Sequence, residues 1–177
     1  INGMGDGSNA ASLSNPVTAL GNVDVARQAA PARWFSVVTN GNLERFMPPF
    51  KSLSDRERWD VVAYALSLSM EDTSLARGAE VYAGECAACH GPAGAGDGPQ
   101  AASLSVPALS DQERMADRSA ADLFDVITEG APQMPAYGDQ LSEEDRWALA
   151  DYVRSMTFAG SMGSQAAQPE AQNTPLA

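Results

Sequence analysis

Histidine and cysteine are almost missing from this chain. Its 177 residues include one histidine and two cysteines, and all three fall inside Cys86-Ala87-Ala88-Cys89-His90. A zinc site needs about four soft ligands, so these three cannot build one alone. Positive charge is scarce too: 11 Lys and Arg face 23 Asp and Glu, for a formal net charge of −12 and a pI near 4.3. That balance argues against nucleic acid or an anionic membrane surface as a direct partner, and favours a basic patch on another protein. No run of about 18 apolar residues occurs, so nothing in the sequence spans a bilayer as an α-helix. Strand alternation is missing as well; short helical patterns joined by Gly- and Pro-rich loops point to an all-α protein. Neither a signal peptide nor an initiator methionine opens the chain. Ile1-Asn2-Gly3-Met4-Gly5 reads as the middle of something, so a processed or truncated polypeptide is expected.

The five-residue run is a C-x-x-C-H, the spacing of covalent c-type haem attachment. Two thiols add across the two haem vinyl groups, and the adjacent histidine can ligate the iron. The alternatives are a redox dithiol, a zinc half-site or a structural disulfide. A thioredoxin-type dithiol would follow a strand in a βαβ context. Here Ser74-Leu75-Ala76-Arg77-Gly78-Ala79-Glu80-Val81-Tyr82 precedes the motif and reads as a helix.

An internal repeat is the next strongest feature. Gly5-Asp6-Gly7-Ser8-Asn9-Ala10-Ala11-Ser12-Leu13-Ser14 answers Gly96-Asp97-Gly98-Pro99-Gln100-Ala101-Ala102-Ser103-Leu104-Ser105, and Pro16 answers Pro107. Phe35, Val38, Thr39 and Gly41 answer Phe124, Ile127, Thr128 and Gly130. Met47-Pro48 and Phe50 answer Met134-Pro135 and Tyr137; Leu53-Ser54, Arg58-Trp59 and Tyr64 answer Leu141-Ser142, Arg146-Trp147 and Tyr152. A duplicated unit of about 80 to 90 residues accounts for this pattern.

In the second copy a first helix starts near Ser74, with Leu75, Gly78, Ala79 and Tyr82 on one face, and runs into the haem motif. A second is capped by Ser119 with Asp122 at the capping-box position, carries Leu123, Val126 and Ile127, and ends at Gly130. The last opens with Ser142 and Asp145 and places Leu149, Val153 and Met156 on one stripe. Ser54 with Glu57, then Val61, Ala65 and Leu68, repeats that helix in the first copy. The linker near Ser69 to Thr73 is short, so the two copies should pack closely.

The two copies resemble class I cytochromes c, specifically the bacterial dihaem kind built from tandem monohaem domains. The resemblance rests on Cys86-Ala87-Ala88-Cys89-His90-Gly91, Gly94-Ala95-Gly96-Asp97-Gly98, Pro107 and Gln133-Met134-Pro135-Ala136-Tyr137. It implies haem c bound through Cys86 and Cys89, with His90 and Met134 as axial ligands of the iron. It also implies that the Pro107 carbonyl accepts from the second ring nitrogen of His90. Cysteines at i and i+3 share one helix face; a neutral imidazole needs such an acceptor to fix its tautomer; a thioether favours ferrous iron. Gly78 and Tyr82, with Trp147 and Tyr152, match the family's crossing of terminal helices.

The expected domains are residues 1–72, a cytochrome c-like unit, truncated or degenerate; residues 73–160, a cytochrome c domain; and residues 161–177, a flexible tail or linker. Under the repeat Pro92 falls on Ile1, so the counterpart of the C-x-x-C-H would sit just upstream. Either the native polypeptide carries that helix and a second haem, or the first copy has lost its haem. Residues 1–72 contain no cysteine or histidine, leaving Met47 as a ligand for an absent iron or a packed core residue. Without the upstream helix, the stripe Val61, Ala65 and Leu68 would have to be covered by the second copy or another subunit.

The expected function is one-electron transfer, with no substrate transformed. Partners would be redox proteins: alternative complex III, a terminal oxidase, a photosynthetic reaction centre or a periplasmic dehydrogenase. An exported, periplasmic location follows from the resemblance. The competing readings are a haem enzyme or gas sensor with an open iron site, and a first copy that acts as a haem-free docking module.

Overall fold

The structure, a computed structural model, describes residues 2–158; the expected tail at 161–177 lies outside the described residues. These form α1 (Val23–Arg27), α2 (Pro31–Asn40), α3 (Asp55–Ser67), α4 (Asp72–Glu85), α5 (Ala87–His90), α6 (Gln112–Met115), α7 (Ala120–Glu129) and α8 (Glu143–Met156), with three short 3-10 turns. Among the described residues there is no β-strand, only the isolated bridges Asn42 to Met47 and Ala131 to Met134. The all-α expectation holds.

Capping chemistry sets most helix starts. Ser54 and Glu57 exchange side-chain and backbone bonds at the head of α3, and Ser119 and Asp122 do the same for α7. Each such cap contributes about 1 kcal/mol. Asn22 and Asp111 cap the short α1 and α6, which have too few residues to show a periodic stripe. α4 starts at Asp72, two residues ahead of the expected Ser74, with no side-chain bond from its N-cap. In α8 Ser142 accepts from the Asp145 N–H, but the Asp145 carboxylate turns to Arg77 of α4 at 2.6 Å instead of completing the box.

α4 and α8 cross where Gly78 meets Ala148. A Cβ at Gly78 would lie 2.1 Å from the Ala148 carbonyl oxygen and 2.7 Å from Tyr152 Cβ, so only glycine allows this approach. Val81 and Tyr82 are buried beside it; Tyr82 and Tyr152 pack with ring centroids 5.5 Å apart. Trp147 does not fill this crossing, as the sequence suggested. It stacks on Phe124 of α7 at 4.1 Å, with the Arg27 guanidinium 4.2 Å from its ring centroid. The reason is its register: Trp147 precedes the crossing residue Ala148 and so faces α7.

The same aromatic stack occurs in the first copy. Phe35 stacks on Trp59 at 4.4 Å with Arg58 over the Phe35 ring, as Arg146 lies over Phe124. Arg58 donates to Thr39 Oγ1 at 2.8 Å and Arg146 to Thr128 Oγ1 at 2.7 Å.

Two hydrophobic clusters result. One gathers Val81, Tyr82, Met115, Leu123, Ile127, Leu149 and Val153; the other gathers Ala26, Ala29, Val38, Val62, Ala63 and Leu66. The expected stripe on α3 is therefore corrected. Val62, Ala63 and Leu66 face the core, whereas Val61 is 44% exposed and Tyr64 52%. Val61 corresponds to Leu149, which is buried in the second copy's cluster; among residues 2–72 no helix stands in the place of α4. The second copy covers the other side of α3 through Phe158, which joins the first copy's cluster and is 2% exposed. Close packing of the copies is otherwise held by Arg27 to Asp151 at 2.9 Å and by Ala32 N–H to the Ala116 carbonyl at 2.8 Å.

Candidate haem site

Cys86 ends α4, and one further turn, α5, carries Cys89 and His90. Backbone bonds from Cys89 and His90 N–H to the Cys86 carbonyl, at 3.1 and 2.9 Å, hold the motif as a turn. The loop that follows folds back on it. N–H groups of Gly96, Gly98 and Gln100 donate to the carbonyls of His90, Cys89 and Ala88 at 2.8, 3.2 and 2.8 Å. These satisfy the carbonyls a helix end leaves open. Gly91, at φ +77, makes the reversal; a Cβ there would lie 2.0 Å from Asp97 Oδ1.

The loop brings Pro107 beside the motif, with its carbonyl oxygen 3.4 Å from His90 Nδ1. Burial lowers the His90 pKa and so favours the neutral ring, while the Pro107 carbonyl, which can only accept, opposes that shift and faces Nδ1. Burial, then Glu85 and Cys89, push the Cys86 thiol up to about 11. Cys86 and Cys89 form no disulfide. Among the described residues no three His, Cys, Asp or Glu converge on a metal-sized site.

Met134 stands on a tight turn closed by reciprocal bonds between Ala131 and Met134, each 2.9 Å. Two contacts fix that turn against the motif and its loop. Gln133 Oε1 accepts from the Ser105 N–H at 3.2 Å, and the Tyr137 hydroxyl donates to the Glu85 carbonyl at 3.1 Å. Cys86, His90, Pro107 and Met134 thus line one cavity of about 420 Å³. Cys89 is not among its lining residues; its Sγ is 3.7 Å from Gln100 Oε1. Most of the remaining wall is apolar, with Leu109, Met115, Leu123, Ile127, Leu149 and Val153. Cofactor cavities run from about 300 to 1,000 Å³ with mostly apolar linings. A size in that range, one soft donor and one neutral imidazole on the wall, and a cysteine at its edge fit a haem.

Met47, the counterpart of Met134, packs half-buried against the first copy's cluster. Sequence reasoning missed Arg114 and Arg118, which also line the cavity. It also missed Asp151 and Arg154, buried charges at the junction of the copies. The repeat carried a signal for the last two, since Asp151 and Arg154 stand where the first copy has Ala63 and Leu66.

Among solved structures, a reducing HAO-like protein complex of Kuenenia stuttgartiensis matches at 21% identity over 88% of each chain, with a TM-score of 0.45. Cytochrome c6 of the diatom Phaeodactylum tricornutum matches at 27% over 49% of this chain and 95% of its own, with a TM-score of 0.38. Cytochrome cL of Methylophaga aminisulfidivorans matches at 23% over 60% and 74%, with a TM-score of 0.42. The family model described as cytochrome c oxidase, cbb3-type, subunit III matches residues 4–64 and again 73–153. Most of the chain lies within those two matches, so it belongs to this cytochrome c family, whose cofactor is covalently bound haem c.

Proposed function

We propose that the protein carries single electrons as a subunit of a respiratory or photosynthetic assembly, with His90 and Met134 as the residues that would hold its haem iron. When bound, haem c supplies an iron that alternates between ferric and ferrous states. The observation that carries the reading is that His90 and Met134, from separate elements, line one mostly apolar cavity of about 420 Å³.

Each residue then has a task. Cys86 and Cys89 anchor the group through thioether bonds. His90 is kept neutral by burial, and its Nδ1 proton is directed at Pro107, which leaves Nε2 as a donor. Met134 offers a soft thioether on a turn braced by Gln133 and Tyr137, which favours the ferrous state and a high potential. The apolar wall keeps water away. If His90 and Met134 both held the iron, no position would remain there for a substrate, which favours transfer over catalysis.

Residues 73–160 form the haem domain. Residues 1–72 hold no cysteine or histidine, so residues 1–177 bind one haem covalently. The partner is a redox protein with a basic docking patch, complementary to a net charge of −12. The location is the periplasmic side of the membrane, where c-type haem is attached; among the described residues no helix is long and apolar enough to cross a membrane.

Met134→Ala tests the axial assignment. Loss of the methionine-to-iron charge-transfer band, a lower potential and new binding of cyanide or carbon monoxide are expected. A variant with the wild-type spectrum and potential would overturn the assignment and favour an open-site haem protein.

A further inference from the structure

Met134 lines the cavity from the loop between α7 and α8, so its reach into the cavity depends on what holds that loop. Two backbone bonds tie the loop to its own helix: Tyr137 N–H to the Ile127 carbonyl at 3.0 Å and Gly138 N–H to the Thr128 carbonyl at 3.1 Å. The Tyr137 hydroxyl does something different. It crosses to α4 and donates to the Glu85 carbonyl at 3.1 Å. Glu85 is the last residue of α4, where a helix leaves its carbonyls open, and its carbonyl belongs to the peptide that joins it to Cys86. The ring is 7% exposed, so little water competes for this bond. Gln133 gives the loop its other tie, to the Ser105 N–H at 3.2 Å, but that bond lies at the exposed surface.

The first copy supplies a comparison. Phe50 stands where the second copy has Tyr137. Its N–H donates to the Val38 carbonyl at 3.0 Å, as that of Tyr137 does to Ile127, and the Met47 turn closes on Asn42 as the Met134 turn closes on Ala131. The shared turn therefore differs in the hydroxyl, and Phe50 is 39% exposed. The hydroxyl accompanies the copy that carries the C-x-x-C-H.

Groups that bond the support of a metal ligand orient that ligand and tune how firmly it is held. We propose that Tyr137 is a positioning residue: by fastening the Met134 turn to the Glu85–Cys86 peptide, its hydroxyl keeps the thioether at the iron and keeps the iron closed to outside ligands. This rests on the reading that His90 and Met134 hold the iron. Pro135, with its φ fixed by its ring, stands between the methionine and the tyrosine and limits how far the turn can yield without moving Tyr137.

The test is a titration of the ferric, haem-loaded protein with imidazole, followed by visible absorption and by the methionine-to-iron band. Tyr137→Phe keeps the buried ring and removes only the hydroxyl. It should bind imidazole about two- to tenfold more tightly than the wild type, the range one hydrogen bond supplies. Ser54→Ala is the control, since it removes the α3 cap in the first copy and lowers stability without touching the cavity; its imidazole affinity should match the wild type. Gln133→Leu, which loses the exposed tie, should shift the affinity less than Tyr137→Phe. If Tyr137→Phe binds imidazole no more tightly than the wild type, or no more tightly than Ser54→Ala, the proposal is wrong. A larger shift from Gln133→Leu than from Tyr137→Phe also overturns it, because the hold would then lie at the Ser105 loop. The wild-type band separates this failure from that of the underlying reading. A band present in the wild type with unaltered affinity in Tyr137→Phe sinks only the tyrosine role, and a band absent from the wild type sinks the axial pair.

Discussion

Replacing Gly78 by alanine should destabilise the protein even though it improves the helix. In an open helix interior the change gains about 1 kcal/mol. At Gly78 the new Cβ would lie 2.1 Å from the Ala148 carbonyl oxygen and 2.7 Å from both the Ala148 carbonyl carbon and Tyr152 Cβ. Two of these are backbone atoms, so no rotamer change relieves the clash, and α4 and α8 must separate. Overpacking of this kind costs about 1–3 kcal/mol, and a gap of roughly 1 Å along the crossing forfeits a quarter to a half of each contact's dispersion energy. Less the roughly 1 kcal/mol gained, this leaves a net loss of about 1 kcal/mol, or about 2–4 °C in Tm for a chain of this size. Gly84 supplies the control within the same helix, because a Cβ there meets nothing within 4 Å. Gly84→Ala should raise Tm by about 2–4 °C, from the roughly 1 kcal/mol gained. Thermal melts of the three haem-loaded proteins, followed by far-ultraviolet circular dichroism, decide it. A Gly78→Ala protein that melts at or above the wild type would refute the close-crossing account.

Three more outcomes can be checked. Ser119→Ala should cost about 0.5–2 kcal/mol by removing the α7 cap. The Ser119 N–H and hydroxyl hold the Asp122 pKa below its usual 3.8; the variant keeps the N–H, so only the hydroxyl's bond to the carboxylate, complete above that value, is lost as pH falls through the lower folded one, and urea titrations should show the gap to wild type narrowing in acid. Arg27→Met leaves Asp151, whose pKa burial already raises, without its partner. A loss of about 1–3 kcal/mol is expected at pH 8, below that of a fully buried pair because Arg27 is 22% exposed. A folded pKa above the unfolded one means the native state binds the proton more tightly, so this loss should shrink as pH falls toward 4; a pH-independent loss would contradict it. Electron transfer to the partner should slow as salt rises, with screening over about 8–10 Å at ordinary ionic strength; rates indifferent to salt would point to an apolar or permanent interface.

Much of this architecture was legible because local chemistry and tertiary role coincide. Ser54 with Glu57 and Ser119 with Asp122 announce helix starts by their spacing, and the structure forms both boxes. Gly78 is an unusual residue for a helix interior and marks the crossing. Legibility fails where a residue's role depends on the other copy. The helical repeat alone cannot tell which of Val61 or Val62 turns inward, since adjacent positions differ by 100° and the choice is made by what lies across from them. Trp147 looks like a crossing aromatic until Arg27, far away in sequence, settles on its face. At the site, the C-x-x-C-H is a local signal and the Met134 turn nearly so. Arg114 and Arg118 look like any charges on and after a short polar helix, and only the fold shows that they line the cavity.

The position of Phe158 bears on how the chain matures. This side chain leaves the end of α8 and closes the core formed by Ala26, Val38, Val62 and Leu66. The first copy therefore does not close its own core: its apolar interior stays open to water until the end of α8 is in place, so the two copies should fold and melt as one unit. Shortening the chain to end at Thr157 would therefore injure the first copy more than the second, although the cut lies in the second.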